Sequence, residues 1–301
     1  MFYVRHYIIL NAYNTELIDI LSTRYNISCE DIRQNKTNER YSFTFEVSEN
    51  HQKFEEIERV LFEHDALICN YDMSERDKQQ VFVMYYPVFS DEEYDSAKWL
   101  TVRSSFSKII PENEDEVFEF SCKLGERSDA WCSMHQKVIR PIDVRKFRAW
   151  NRKAFASLLY SENELFCTRQ TRDSIMTSDF RGLGFSSVYV DKNNNCNDIY
   201  QIYNLYDIPD NAFVGDDDMQ ECRCPICNMK MLAYSNTRGM FRIREKFVDS
   251  NVDFYKTPPM FLSAVNQCSG SSRTIISQRL YRYIKQNKMG RALHFVPLET
   301  V

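Results

Sequence analysis

Glycine is scarce in this chain, 7 of 301 residues, about a third of the ordinary share. Loops that close backbone amides around a phosphate depend on glycine. Neither G-x-x-x-x-G-K-S/T nor G-x-G-x-x-G occurs, which argues against nucleotide-dependent chemistry of the common kinds. Arg181-Gly-Leu-Gly184 is too short and wrongly placed to replace them. Histidine is sparser still, with 5 in the chain. H-E-x-x-H and H-x-E are both missing, so neither the metalloprotease helix nor the deaminase proton shuttle is written here. No apolar run approaches a membrane span, and Asn11 interrupts the first apolar stretch before it reaches signal-peptide length. Charge is nearly balanced, 38 Lys and Arg against 43 Asp and Glu for a net of -5. Such a chain has no global pull towards nucleic acid or anionic lipid, and any such contact needs a local basic patch.

What is present is the composition of a folded protein: 43% apolar, 27% charged and 14% aromatic, far from the disordered class. The expected location is cytoplasmic. In that compartment the 10 cysteines are read as small buried hydrophobes or, where clustered, as metal ligands.

The expected fold class is α+β in two domains, residues 1–115 and 116–301. In the first, Tyr3 to Leu10 reads as a strand and Asn14 caps a helix carrying Leu17, Ile20 and Leu21 on one face. Tyr41, Phe43, Phe45 and Val47 alternate with polar residues as a half-buried strand does. From His51 to Leu67 the apolar positions Phe54, Ile57, Val60 and Leu61 recur at helical spacing, Val81 to Phe89 is a further strand, and Ser90 to Glu93 has capping-box form. Pro111 to Glu116 reads as a solvated connection. In the second domain a helix-stop-strand pattern occurs twice at an offset of roughly 110 residues. The later copy, Ser272 to Leu298, has Ile276, Leu280 and Ile284 on a helix, a stop at Asn287 to Gly290, and a strand over Leu293 to Leu298. The earlier, Ser161 to Val190, has a helix over Phe166 to Ile175, a stop at Phe180 to Gly184, and a strand to Val190.

The segment Cys222-Arg-Cys224-Pro-Ile-Cys227-Asn228 is the sharpest chemical signal. Two thiolates two residues apart reach one tetrahedral ion across a short turn, and the residue after the second thiolate must tolerate a left-handed backbone, which Asn does next best after Gly. A structural zinc needs four ligands. Cys132-Ser-Met-His135 is the other C-x-x-C/H spacing, so Cys224, Cys227, Cys132 and His135 are the expected set, with Cys222, Cys122, Cys167 and Cys268 as competitors. Residues 137–153 mix seven cations with Phe147 and Trp150, the composition of a nucleic-acid patch or of a solvated helical face.

At Cys224-Pro-Ile-Cys227, at Ile275 to Leu280, and at Gly290 to Leu298, the chain resembles bacterial double-CXXCG-motif proteins and the immunity-protein-like families of polymorphic toxin systems. The likeness covers about the last 80 residues. It departs from the family pattern where Asn228 stands for a Gly and where Cys132/His135 stands for a full second pair. The resemblance implies a non-enzymatic protein whose surface occludes a toxin or effector. The alternative is a nucleic-acid-binding or processing protein using residues 137–153; a third reading, a zinc or cysteine hydrolase, needs a concave site where Cys or His groups converge.

Overall fold

The computed structural model describes residues 2–12, 15–34, 41–63, 67–68, 80–110, 118–120, 136–138, 142–144, 150, 152–158, 161–190, 194–215, 219–223, 228, 230–234, 241–258, 261–262 and 270–301. The chain is mixed α+β and divides into two compact units, Met1–Ser90 and Asp91–Val301.

The first unit consists of β1 (Phe2–Ala12), α1 (Glu16–Tyr25), β2 (Glu30–Gln34), β3 (Tyr41–Ser48), α2 (Phe54–Glu63), β4 (Leu67–Ile68) and β5 (Gln80–Val88). Its sheet runs β2-β3-β1-β5-β4. Alternation in β3 buries Phe43, Phe45 and Val47 against Leu17 and Leu21 of α1 and Ile57, Val60 and Leu61 of α2, the amphipathic solution for helices laid on a sheet face. Arg5 fixes α2 to the sheet: its guanidinium pairs with Glu49 at 2.9 Å and Glu58 at 2.5 Å and lies over the Phe54 ring. The buried Tyr7 hydroxyl donates to the same Glu58 carboxylate at 2.8 Å. The α1 helix starts after Thr15 without a side-chain cap and stops at Asn26, whose left-handed φ of 56° turns the chain out.

The second unit opens with α3 (Asp91–Ser96), β6 (Trp99–Ser104), β7 (Ser107–Ile109), β8 (Phe118–Phe120), β9 (Gln136–Val138) and β10 (Asp143–Val144). It continues with β11 (Phe155–Leu158), β12 (Ser161–Thr168), α4 (Arg169–Met176), β13 (Leu183–Val190), β14 (Asn194–Asn204), β15 (Phe213–Gly215), β16 (Met219–Arg223), β17 (Lys230–Tyr234) and β18 (Phe241–Ile243). The last elements are β19 (Phe254–Lys256), β20 (Phe261–Leu262), β21 (Gly270–Ser271), β22 (Thr274–Ser277), α5 (Gln278–Gln286) and β23 (Leu293–Leu298). Two sheets dominate, ordered β10-β13-β14-β12-β11-β7 and β19-β22-β6-β23. They share one core: Leu165, Cys167 and Ile202 from the first meet Leu100, Phe254 and Ile276 from the second, with Ile175 of α4 and Leu280 and Ile284 of α5. Each sheet buries its other face as well. Phe166 and Val188 pack with Phe106, Ile142 and Trp150, while Ile275 and Leu298 pack with Phe213, Phe241 and Phe261. Neighbouring residues such as Leu165 and Phe166, or Ile275 and Ile276, therefore enter different cores, as the strand's period of two demands.

The structure places the unit boundary at 90/91 and not at 115/116. The reason is strand pairing, since β6 is the inner strand between β22 and β23, and β7 pairs with β11. The helices of the helix-stop-strand segments also start later than their apolar spacing implied. Phe166 and Ile276 lie in strands, because Thr168 and Ser277, both extended, cap the helices by accepting from the Thr171 and Leu280 amides at 3.3 and 3.1 Å. A left-handed residue immediately precedes each following strand, Gly182 at φ 97° before β13 and Ala292 at φ 75° before β23.

A Cβ at Gly182 would fall 2.5 Å from the Phe254 carbonyl oxygen. Gly182→Ala is expected to cost about 3 kcal/mol through strain and overpacking together, whereas Ala292→Gly relieves strain and is expected to gain about 0.5 kcal/mol. Urea titration of the two variants checks the opposite signs.

Candidate functional site

The sequence-predicted ligands Cys224, Cys227, Cys132 and His135 lie outside the described residues, as do the competitors Cys122 and Cys268. Their supports are described. β16 and β17 form an antiparallel hairpin that pairs Cys222 with Met231 and Arg223 with Lys230, so the ladder flanks residues 224–229 in the chain. Between the two strands Asn228 has φ 58°, the left-handed backbone that a two-thiolate knuckle requires after its second cysteine, and its carbonyl accepts from Arg223 Nη1 at 3.0 Å. Lys230 anchors the end of the ladder next to the connection. Its amide donates to Asp210 at 2.9 Å and its ammonium reaches Glu221 at 2.7 Å and the Phe213 carbonyl at 2.9 Å. The hydrogen bond from Lys230 holds the Glu221 carboxyl below the usual range. Strands β8 and β9, which flank residues 121–135 in the chain, also pair antiparallel, Phe118 with Val138 and Phe120 with Gln136. Among the described residues no group of three His, Cys, Asp or Glu side chains is placed to hold a metal.

Cys167 leaves the list of competitors, being fully buried in the shared apolar core. Burial pushes its thiol far above the ordinary range, the opposite of what a nucleophile or a ligand needs. Burial likewise pushes the Cys29 thiol up to about 11. His6 faces Glu46 at 3.2 Å and His51 accepts the Lys53 amide at the start of α2, which are structural employments. Within residues 137–153, Trp150 is a core residue packed edge-on to Phe106, and Lys153 caps that same ring at 3.6 Å. Trp150 is thus no stacking platform for bases, and the cations Arg140, Arg145, Lys146 and Arg148 lie outside the described residues.

A polar cluster that sequence reading missed centres on Asp253. Its carboxylate is 2% exposed and accepts from Arg279 Nη2 at 2.5 Å, Arg279 Nε at 3.0 Å, Ser277 Oγ at 2.6 Å and the Arg181 amide at 3.0 Å. Burial alone would raise its pKa, but these donors, led by Arg279, hold it below the usual carboxylate range. Arg279 also reaches Asp179 at 3.0 Å and lies over the Phe180 ring. Beside the cluster is an open groove of about 790 Å³ lined by Thr177, Asp179, Phe180, Arg279, Arg282 and Tyr283 among others. The signal in the sequence was only an Asp just before a strand and an Arg on the next helix; nothing local joins them.

No protein-family model, curated protein or solved structure matches this chain.

Asp253→Asn keeps the shape and removes the charge. It is expected to cost about 2 kcal/mol, below the figure for a wholly buried pair because Arg279 is half exposed. Because the folded pKa is depressed, the stabilisation is present above the unfolded carboxylate value near about pH 4 and is lost as pH falls through the folded pKa. Denaturant midpoints from pH 7 down to 3 should therefore converge for wild type and variant.

Proposed function

We propose that this chain is a cytoplasmic, non-enzymatic binding protein that occludes a toxin or effector protein, as the immunity-protein-like families do that its knuckle and last segment resemble. The observation that carries this reading is how its described reactive groups are employed. Cys167 and Cys29 are shifted towards inertness, and the buried Asp253 is saturated by four donor contacts. Catalytic groups are usually displaced the other way, towards the working pH and facing a cleft. The groove beside Arg279 is wide and open, with its best-placed cation already paired. Such a surface suits contact with a polypeptide better than enclosure of a reacting molecule.

The acidic balance of -5 favours a basic partner, such as a nucleic-acid-cleaving toxin, by speeding encounter and disfavouring wrong partners. Among the described residues no helix is long and apolar enough to cross a membrane. A structural zinc on Cys224 and Cys227, completed by Cys132 and His135, is part of the proposal. The left-handed Asn228 and the ladder whose last pair is Arg223 with Lys230 support it. Such a closed site stiffens a hairpin and leaves no open position for water or substrate.

Two measurements check the reading. Tagged chain used as bait in a lysate of the native host is expected to recover a basic protein, released by salt, while binding to RNA and DNA is absent at low salt. Nucleic-acid affinity that falls steeply with salt would favour the alternative instead. Protein purified without chelator is expected to hold about one zinc per chain, and Cys224→Ser with Cys227→Ser should lose that metal and lower the melting temperature of the second unit. A metal-free wild type with unchanged stability removes the zinc.

A further inference from the structure

The two large sheets of the second unit repeat each other. The first contains β13-β14-β12-β11 and the second is β23-β6-β22-β19, every neighbouring pair antiparallel. Their registers agree at the three junctions that define a sheet. Thr168 and Ser277, the caps of α4 and α5, lie opposite Ile199 and Trp99. Leu183 and Leu293 lie opposite Asn204 and Ser104. Phe155 and Phe254 lie opposite Cys167 and Ile276.

Bonds outside the strands repeat as well. The Leu205 and Ser105 amides donate to the carbonyls of the left-handed Gly182 and Ala292 at 2.9 and 3.1 Å, and the Thr168 and Ser277 amides donate to Ala154 and Asp253 at 3.2 and 2.9 Å. Ser107 pairs in parallel with Ser157 as Asp207 does with Lys256. The hydroxyls of Ser174 and Tyr283, each the sixth residue of its helix, meet at 2.6 Å. Contact between two corresponding positions is what a local two-fold axis produces.

One element breaks the chain order. In the first sheet the inner strand β14 follows β13 directly, with Val190 opposite Asn194. In the second sheet the corresponding place beside β23 is filled by β6, which precedes the whole first sheet in the chain. We propose that residues 99–298 are two copies of one unit, and that β6 is a clasp: the place beside β23 that β14 fills beside β13 is taken by a strand from the front of the unit, closing it on itself. The clasp is central to its sheet, bonded to β22 on one side and β23 on the other. Withdrawing it breaks two ladders at once and opens the shared core through Leu100 and Val102. This inference stands apart from the binding reading, since it concerns only how the scaffold closes.

If β6 fills the place of a following strand, it should work from that place. Residues Trp99–Ser104 are replaced by a flexible linker and re-attached behind Val301 through a short flexible turn, in the full chain. This chain is expected to fold with the near-ultraviolet signal of wild type and to melt within a few degrees of it. The same replacement without re-attachment should lose the cooperative transition of the second unit. A re-attached chain that melts no better than the replaced one overturns the proposal. As a second measurement, a protease site is inserted between Asn113 and Glu114 in the otherwise unaltered chain and then cut. The two pieces should co-elute at the intact mass in native buffer and unfold in one transition, because β6 is held by sheet and not by chain; pieces that separate in native buffer also overturn it.

Discussion

The second unit is held in register by one buried carboxylate. Asp253 sits just before β19, and it is bonded to the residue before the left-handed stop of the first sheet, to the cap of α5, and to Arg279, the second residue of that helix. Its own backbone continues the same connections, the amide donating to Arg181 and the carbonyl accepting from Ser277. Three stretches far apart in the chain are thereby fixed to within a hydrogen-bond length. A buried charge is tolerated only where donors replace the lost water, so the four contacts are a condition of the fold and not an addition to it. Gly182 shows how little slack remains: the Phe254 carbonyl occupies the space its side chain would need.

From that junction the rest of the unit follows as layers. Two sheets present inner faces to one core and outer faces to two others. A strand packed on both faces loses the buried-exposed alternation, as in Thr274-Ile-Ile-Ser277, where all four residues are buried. Described residues of the segments between β6 and β11, and between β14 and β19, pack on the outer faces, Phe106, Ile142 and Trp150 on one and Phe213 and Phe241 on the other.

The same economy shapes the chemistry. Cys167, Trp150 and Asp253 are residue types that a sequence reader collects as candidates for reaction or recognition. In the structure each is enclosed: the thiol by hydrocarbon, the indole by Phe106 and its neighbours, the carboxylate by donors. Burial raises a thiol and donors lower a carboxylate, and both changes move the group away from the proton-transfer range used in catalysis near neutral pH.

Local physics was legible in the sequence. The alternation over Tyr41 to Val47, the helical spacing of Ile57, Val60 and Leu61, the left-handed Asn228 and the strand over Leu293 to Leu298 are settled by periodicity and backbone preference within a few residues. The recurrence of a helix, a stop and a strand was visible for the same reason. What only the tertiary structure decided is which strand lies beside which. Pairing is a choice among distant partners whose local patterns are alike, and nothing near Trp99 says that its strand belongs between residues 274–277 and 293–298. That choice moved the unit boundary from 115 to 90, turned Phe166 and Ile276 from helix into strand, took Trp150 from surface to core, and brought Arg279 to Asp253. Each is a non-local contact, fixed by burying apolar area and pairing backbone groups over the whole unit.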